Sequence, residues 1–507
     1  MAMIGSTAPG YSFVAAEESA EKRQRIDRIY RAWLAYQGEL ELPLIPQSVP
    51  GRTNLVIDDN VPLDLIRMEV DVSNYFMFGK PVTFEEVLPD AGDENVVDDN
   101  VETPAEQYLT QVWKQAKKMT FLTKAGLNGA IAGHVFIKIR PPALGQQYPR
   151  LVLLDSQCVD VDCDDEDVTQ PLKYEIEYRT TSATGEDVVR QQNIWRTDVD
   201  STEWFLETVE FTVNQQGIYL STPRVVSPQA TWPYPWPPIV DCQNLPLPNC
   251  YWGMSECEED VLTLQKRIIG TVSNTYRILR LHAHPKTWTA GLTPRQVRQL
   301  QISADGLINL PPPDARIQNL EMTSDLGSSI QLYKTVLEGF HRVTHTPEVA
   351  AGRMESLGNL SGVAIQLLFG PLIRKVGFRR LSFGDMLEEL CKRLLDMGES
   401  AGLDGITTPV GEGYDTNVAV LWPDLLPVDE LALRQAYQID HLLGASDETL
   451  LDKLGYDPQL EQSRTAGEKQ LEQTQALEQV RALAQIQQQY PNPSQQPAQQ
   501  QPAGGRP

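Results

Sequence analysis

The run "SECEEDVLTLQKRIIGTVSNTYRILRL", Ser255 to Leu281, sets the scale of whatever this chain folds into. Val261, Leu264, Ile268, Val272, Tyr276 and Leu279 recur at helical spacing, so a single apolar stripe runs along the whole segment. Ser255 with Glu258 reads as a capping box. Glu256, Glu258, Glu259 and Asp260 suit the positive end of a helix, and Arg277 and Arg280 suit the negative end. A helix over residues 255–281 would be about 40 Å long. A second amphipathic run, from about Ser328 to Val343, aligns Ile330, Tyr333, Leu337 and Phe340. Residues 282–327 lie between them: "KTWTAGL", a short helix "TPRQVRQLQI" capped by Thr293 with Pro294, and "GLINLPPPDARIQNLEM". Two long helices with a small αβ insert between them describe a stalk carrying a tip.

The second long helix leads into "THTPEVAAGRMESLGNLSG" and then an apolar helix reaching about Met397. Pro371 cannot donate to the Leu367 carbonyl and its ring crowds that turn, so a kink is expected near Gly370. A small-residue loop before a long helix has three readings: a phosphate-binding turn, an ordinary capped helix, or a loop kept mobile beside something that passes it. The first fails. "LGNLSG" lacks the GxxxxGK[ST] pattern, and "FGKP" (78–81) has neither the earlier Gly nor a following hydroxyl.

The N-terminal half mixes helix and strand. Residues 17–37 have helical spacing, as do 62–77, with Pro62 near the start and Asn60 or Asp59 as cap. "PVTFEEV" reads as a strand, and 90–102 as an acidic loop. Pro104 starts a helix expected to run to about Asn128, with Tyr108, Leu109, Val112, Trp113 and Ala116 on one face. Gly129 and Gly133 punctuate before the strand "HVFIKIR". From Leu151 to about Val240 the pattern is mostly β: "LVLLD", "KYEIEYR", "VVRQQNIWR", "EWFLETVEFTV" and "GIYLS". "WPYPWPPIVDCQN" is too proline-rich for a central strand and reads as an extended edge or linker. Residues 415–424 give one more strand, and the chain is helical from Val428. The Pro/Gln/Gly-rich residues from Pro491 are expected to be disordered.

Charge and residue types narrow the chemistry. A formal net charge of -25 argues against gripping nucleic acid over a broad surface, which needs Lys and Arg in excess. It allows a repulsive wall along which DNA slides. The six cysteines form no CxxC pair and read as reduced thiols. No apolar run reaches 18 residues and no signal peptide is read, so no membrane role is expected. "DVDCDDEDVTQP" places Asp160, Asp162 and Asp164 at EF-hand spacing, but Asp165 stands where the turn needs Gly and Pro171 where a bidentate Glu belongs, so an acidic surface loop is the reading. His341 and His345 share a helix face at i, i+4 without an evident third ligand, and no metal or other cofactor is assigned. No HExxH or GxSxG occurs. The cations Lys266, Arg267, Arg277, Arg280, Lys334 and Arg342 on the two long helices either face a channel or pair with neighbouring acids.

Four stretches in order resemble the portal proteins (head–tail connectors) of tailed bacteriophages. They are "NLVIDDNVPLDLIRMEVDVSNYFMFGKPVTFE", "NCYWGMSECEEDVLTLQKRIIGTVSNTYRIL", "HRVTHTPEVAAGRMESLGNLSGVAIQLLFGPL" and "VLWPDLLPVDELALRQAYQIDHLLGASDETLLDKLG", and the resemblance spans about residues 20–460. It implies an α+β portal fold with a wing, a two-helix stem, an αβ clip and a helical crown, assembled as a ring of twelve subunits around a DNA channel. The implied map is wing 1–250, stem helix 251–281, clip 282–327, stem helix 328–346, tunnel loop 347–361, wing again over 362–427 with the kinked helix, crown 428–490 and tail 491–507.

The resemblance further implies a non-enzymatic conduit in the virion, at one capsid vertex, assembled in the host cytoplasm. The genome would be packaged and ejected through it. Arg353, Glu355, Gly358, Asn359, Ser361 and Gly362 would belong to the tunnel loop, with Gly370 and Pro371 at the helix bend. The clip, with Lys286, Trp288, Arg295, Arg298 and Arg316, would dock the terminase large subunit and later head-completion or adaptor proteins. Major capsid and scaffold proteins would be further partners. The competing readings are another component of the packaging machinery, such as a terminase nuclease/ATPase, against which the missing Walker motif counts, and a helical scaffold without a channel.

Overall fold

The computed structural model describes residues 20–40, 60–86, 103–143, 146–182, 185–212, 223–283, 287–291, 293, 316–319, 326–350, 362–403, 418–425, 430–444, 446, 450–451, 461 and 464–465. The chain divides into two compact units, Met1–Leu425 and Leu426–Pro507. In the second, the described residues form helix α8 (Glu430–Leu442) and short helical pieces at 450–451, 461 and 464–465.

The first unit mixes helices with four small sheets among the described residues. Helix α1 (Ala20–Gln37) precedes α2 (Leu65–Phe78). Asp64, and not Asn60, caps α2: its carboxylate accepts from the Arg67 N–H at 3.2 Å, while Asp59 lies outside the described residues. Pro62 therefore lies before the helix. Strand β1 (Thr83–Glu86) pairs antiparallel with the distant β12 (Val418–Leu421).

The single helix expected over 104–128 is two, α3 (Pro104–Ala116) and α4 (Lys118–Ala132). Thr103 and Glu106 form a capping box at the start of α3. Lys117, at φ 58, breaks the run. The break lets Trp113 and Leu122 enter one core while Lys118 donates to the Val82 carbonyl at 2.8 Å and lies over the Phe84 ring. Gly129 does not end α4; it lies inside it, and Gly133, at φ 84, is the stop.

Strand β2 (His134–Arg140) is central in a three-stranded antiparallel sheet, with β3 (Arg150–Leu154) and β9 (Ile239–Gln243) as its edges. The proline-rich stretch thus feeds an edge strand. Ahead of it Tyr234 stacks on Trp236 at 4.6 Å between centroids, and the Trp236 indole N–H donates to Asp396 at 2.9 Å. Strands β4 (Val159–Cys163), β5 (Pro171–Thr181), β6 (Asp187–Trp195), β7 (Phe205–Thr212) and β8 (Arg224–Thr231) form an antiparallel meander. The sequence carried no clear signal for β8, which contains Pro228 and is exposed at every residue; "GIYLS" and the 90–102 stretch lie outside the described residues.

The acidic stretch after Val159 is not a surface loop throughout. Asp160 sits on β4 and pairs with Arg25 at 2.8 Å and Lys22 at 3.2 Å of α1. Asp164 accepts from the Glu166 and Asp167 amides, each at 3.0 Å, and Asp167 accepts from the Thr169 amide at 2.9 Å. Asp160 is thus engaged by α1, and Asp164 and Asp167 by their own turn.

Helix α5 (Glu259–Ala283) lies beside α6 (Leu326–Val343), and between them in sequence β10 (Thr287–Ala290) pairs antiparallel with β11 (Arg316–Asn319). The α5 helix starts four residues later than Ser255 would set it. Helix α7 (Gly362–Ser400) contains Pro371. One of its faces buries Leu372, Val376, Phe383, Leu387, Leu390 and Leu394 in the main core with Met77, Phe78 and Phe136. Among the described residues no helix is long and apolar enough to cross a membrane.

Candidate functional site

The base of the α5/α6 helix pair meets α2 and α7 at a buried cluster of charge. The sequence of two turns creates it. Gly133 and Gly253 pack backbone to backbone: a Cβ on Gly133 would stand 2.6 Å from the Gly253 carbonyl, and one on Gly253 2.5 Å from the Gly133 carbonyl. This approach seats the 255–258 turn on the end of α4. The Ser255 hydroxyl donates to the Ile131 carbonyl at 2.7 Å and the Glu256 amide to the Ala130 carbonyl at 2.7 Å. The Ser255 amide donates to the Glu258 carboxylate at 3.1 Å, one arm of the expected capping box. Glu256, read from sequence as a dipole-stabilising acid at a helix start, is instead turned inward and buried.

Lys375 of α7 uses its ammonium as a three-way tie. It donates to Glu69 of α2 at 2.5 Å, to Glu256 at 2.7 Å and to the Thr344 carbonyl, just past α6, at 2.9 Å. One turn further along α7, Arg379 is fully buried and donates to Glu256 at 2.8 Å, to the Ser73 hydroxyl at 2.9 Å and to the Gly126 carbonyl at 2.8 Å. Ser73 in turn donates to Glu256 at 3.0 Å. Glu256 therefore collects Lys375, Arg379 and Ser73, whereas Glu69 collects Lys375 alone and its Oε2 is buried without a partner.

The two carboxyls are driven apart accordingly. Burial pushes Glu69 up, to about 8, because one ammonium beside it does not offset the desolvation and Glu256 adds repulsion. Burial opposes ionisation of Glu256 as well, but Lys375 and Arg379 together outweigh it and hold that carboxyl down near 2. Lys375 is buried too, yet Glu256 and Glu69 raise it above the usual lysine range. This arrangement is built to hold helices together.

Sequence reasoning passed over Glu69, Lys375 and Arg379, yet the signal was present. Glu69 lies on the stripe Ile66, Val70, Ser73, Met77, and Lys375 and Arg379, at i and i+4, lie on the stripe Leu372, Val376, Phe383. A charge inside an apolar stripe needs a partner in the core.

The expected residues fall elsewhere. Arg353, Glu355, Gly358, Asn359 and Ser361 lie outside the described residues, and Gly362 opens α7. Gly370 and Pro371 lie within α7, and the Gly370 carbonyl accepts from the Arg374 guanidinium at 3.4 Å. On the helix pair, Lys266, Arg277 and Arg280 are half-buried, and Arg267, Lys334 and Arg342 are exposed. Arg342 makes a surface pair with Glu338 at 3.5 Å, the pairing alternative to a channel role. Trp288 is placed on β10 and Arg316, exposed, on β11; Lys286, Arg295 and Arg298 lie outside the described residues, as does the helix expected after Thr293. His341 and His345 do not share a helix face. The α6 helix ends at Val343, His345 adopts φ 58, and the His341 Nδ1 lies 3.0 Å from the Thr346 carbonyl. The described residues contain no group of three or more His, Cys, Asp or Glu arranged to hold a metal.

The family model described as "Phage portal protein, SPP1 Gp6-like" matches residues 16–475. The chain belongs to the phage portal protein family. The match covers the helix pair, the charge cluster at its base and all of α7. Two solved structures are similar to this member of the family. A chain of "Virion of native gene transfer agent (GTA) particle" is 12% identical, with 78% of this chain and 90% of that chain covered and a TM-score of 0.43. A chain of "Neck of empty GTA particle computed with C6 symmetry" is 13% identical, with 78% and 91% covered and a TM-score of 0.45. Likenesses this distant carry no argument about function. No curated protein matches.

Proposed function

We propose that this chain is the portal subunit of a tailed-phage-like particle: a non-enzymatic conduit in the virion. Twelve copies form a ring at one capsid vertex, through which double-stranded DNA enters during packaging and leaves on ejection. The observation that carries the reading is the family match over residues 16–475, and the α5/α6 pair with β10–β11 between its helices is in keeping with it. In the proposed map, residues 1–250 and 362–427 form the wing, 251–281 and 328–346 the stem, 282–327 the clip, 347–361 the tunnel loop, 428–490 the crown and 491–507 the tail, which lies outside the described residues.

The clip is the docking platform for the terminase large subunit and then for head-completion or adaptor proteins. The wing faces capsid and scaffold proteins, and no membrane is involved. The net charge of -25 per chain suits a wall that DNA slides past, with Arg353 as the lone cation of the tunnel loop beside Glu355. Native mass spectrometry of the full chain tests the assembly. A species of twelve chain masses is expected, and a chain that stays monomeric with and without scaffold protein would overturn the reading.

A further inference from the structure

The geometry points to a proton-controlled latch: Glu69 is held as a neutral acid in the closed seam between α2, Thr344 and α7, and its ionisation lets water into that seam. The latch lies within one chain and does not rest on the ring reading.

Two carboxyls share one ammonium. Oxygens of Glu69 and Glu256 lie 2.5 Å and 2.7 Å from the same Lys375 Nζ, so the two acids are close neighbours in a site closed to solvent. The donors are shared unequally. Glu256 takes Lys375, Arg379 and Ser73, and its charge is fully answered. Glu69 takes one of the three ammonium protons, and its second oxygen has nothing to accept from. A neutral carboxyl accepts the Lys375 N–H and carries no unanswered charge. An ionised one strands a buried anionic oxygen, a state relieved by admitting water. The element that yields is the one the same ammonium holds through the Thr344 carbonyl. The Thr344 hydroxyl is likewise buried and unpartnered, so a polar wall is ready for that water.

The groups facing Glu69 leave it as the one to titrate between neutral and mildly alkaline pH. From α7 comes Lys375, with Arg379 one turn on and bonded to Glu256, and from the 255–258 turn come Glu256 and Cys257. The Cys257 thiol is pushed well up by burial and by both acids, and stays protonated. Beyond α6, His345 is pushed down by burial, Lys375 and Arg374, and stays neutral. The neighbouring elements add no further titrating group: on α4 the Thr123 carbonyl accepts from Asn74 and the Gly126 carbonyl from Arg379, on α5 the neutral Gln265 donates to the Leu63 carbonyl, and α1 meets α2 through Tyr36 on Asp71. Tyr36 is itself held at about 12.

The consequence is that one proton sets how firmly the end of α6 is tied to α7. Hydrogen exchange of a peptide spanning 340–346, where the Thr344 amide bonds the Phe340 carbonyl, reads it directly. After correction for the intrinsic rate, protection in the full wild-type chain is expected to fall by up to about tenfold per pH unit once Glu69 ionises, the slope of a single titration. Glu69→Gln fixes the neutral state and should show no such fall. A wild-type chain whose protection does not change from pH 7 to pH 9.5, or a Glu69→Gln chain that loses protection equally, would overturn the latch. Infrared spectroscopy of the wild-type chain needs no variant to fold. A protonated carboxyl stretch at pH 7 that disappears by pH 9.5 is expected, and its absence at pH 7 would equally overturn the proposal.

Discussion

Replacing Lys375 with Met isolates what the charge cluster contributes. The side chain keeps an unbranched apolar stem but loses the ammonium that ties Glu69, Glu256 and the Thr344 carbonyl together. Glu256 keeps Arg379 and Ser73, so its charge remains answered. Glu69 loses its only donor while buried. With Glu69 neutral and Glu256 still answered, no charge is stranded, so the loss is that of the ammonium's buried hydrogen bonds, about 1–3 kcal/mol, below the about 3–5 kcal/mol of a broken buried ion pair. A surface pair gives the scale for comparison. Arg342 and Glu338, 3.5 Å apart and both exposed, should contribute no more than about 1 kcal/mol. The assay is urea unfolding followed by hydrogen exchange of α2 and α7 peptides, so that the unit containing the cluster is read separately. Lys375→Met should lower the midpoint of that unit more than Arg342→Ala. Adding Glu69→Gln to Lys375→Met should recover part of the loss, since it removes the acid left without its donor, and the double-mutant cycle measures the coupling. Equal effects of Lys375→Met and Arg342→Ala, or no recovery in the double variant, would refute the assignment of this cluster as the tie between the helix pair and α7.

The remaining expectations concern separate parts of the chain. Glu256 is held near 2 in the folded state against an ordinary value of 4.5, so its stabilisation is present above about pH 4.5 and is lost as pH falls toward 2; Glu256→Gln should flatten the acid limb of the urea midpoint against pH, and an unchanged limb would contradict this. Gly133→Ala places a Cβ 2.6 Å from the Gly253 carbonyl at a φ of 84, and should lower the melting temperature by several degrees; wild-type melting would show that the two backbones do not approach as described. Asp160→Asn removes the charge that Arg25 and Lys22 bind, and should raise hydrogen exchange in α1 before any other helix; unaltered α1 exchange would mean that the helix is held without it. Arg353→Ala should leave ring assembly intact while changing the rate or length of DNA packaged, and normal packaging would remove Arg353 from the proposed DNA path.

Regular elements with strong periodicity were legible in the sequence. The stripe from Val261 to Leu279 and the one from Ile330 to Phe340 mark α5 and α6 to within a few residues, and β2 reads directly from "HVFIKIR". Boundaries set by tertiary contact were not. Nothing in "KQAKKMTF" announces that Lys117 will take a left-handed conformation, because the reason lies in how Trp113 and Leu122 share a core. Ser255 and Glu258 look like the start of a helix, but the Gly133–Gly253 approach claims that turn for the end of α4. Strand β8 buries neither face, so it carries no alternating pattern to find. The charge cluster was half visible: Glu69, Lys375 and Arg379 each break an apolar stripe, but their pairing joins residues some 300 positions apart. The acids of Asp160 to Asp167 were read by spacing alone, which is blind to the Lys22 and Arg25 side chains that α1 brings to Asp160.

The measurement that bears most directly on the central claim is electron microscopy of the purified full-length chain, with and without scaffold protein, averaged in views down the particle axis. Rings with an open central hole, their subunit count given by the rotational symmetry of the averages, are the expected result. Monomers or closed particles in both preparations would contradict the conduit and return the chain to a helical scaffold without a channel.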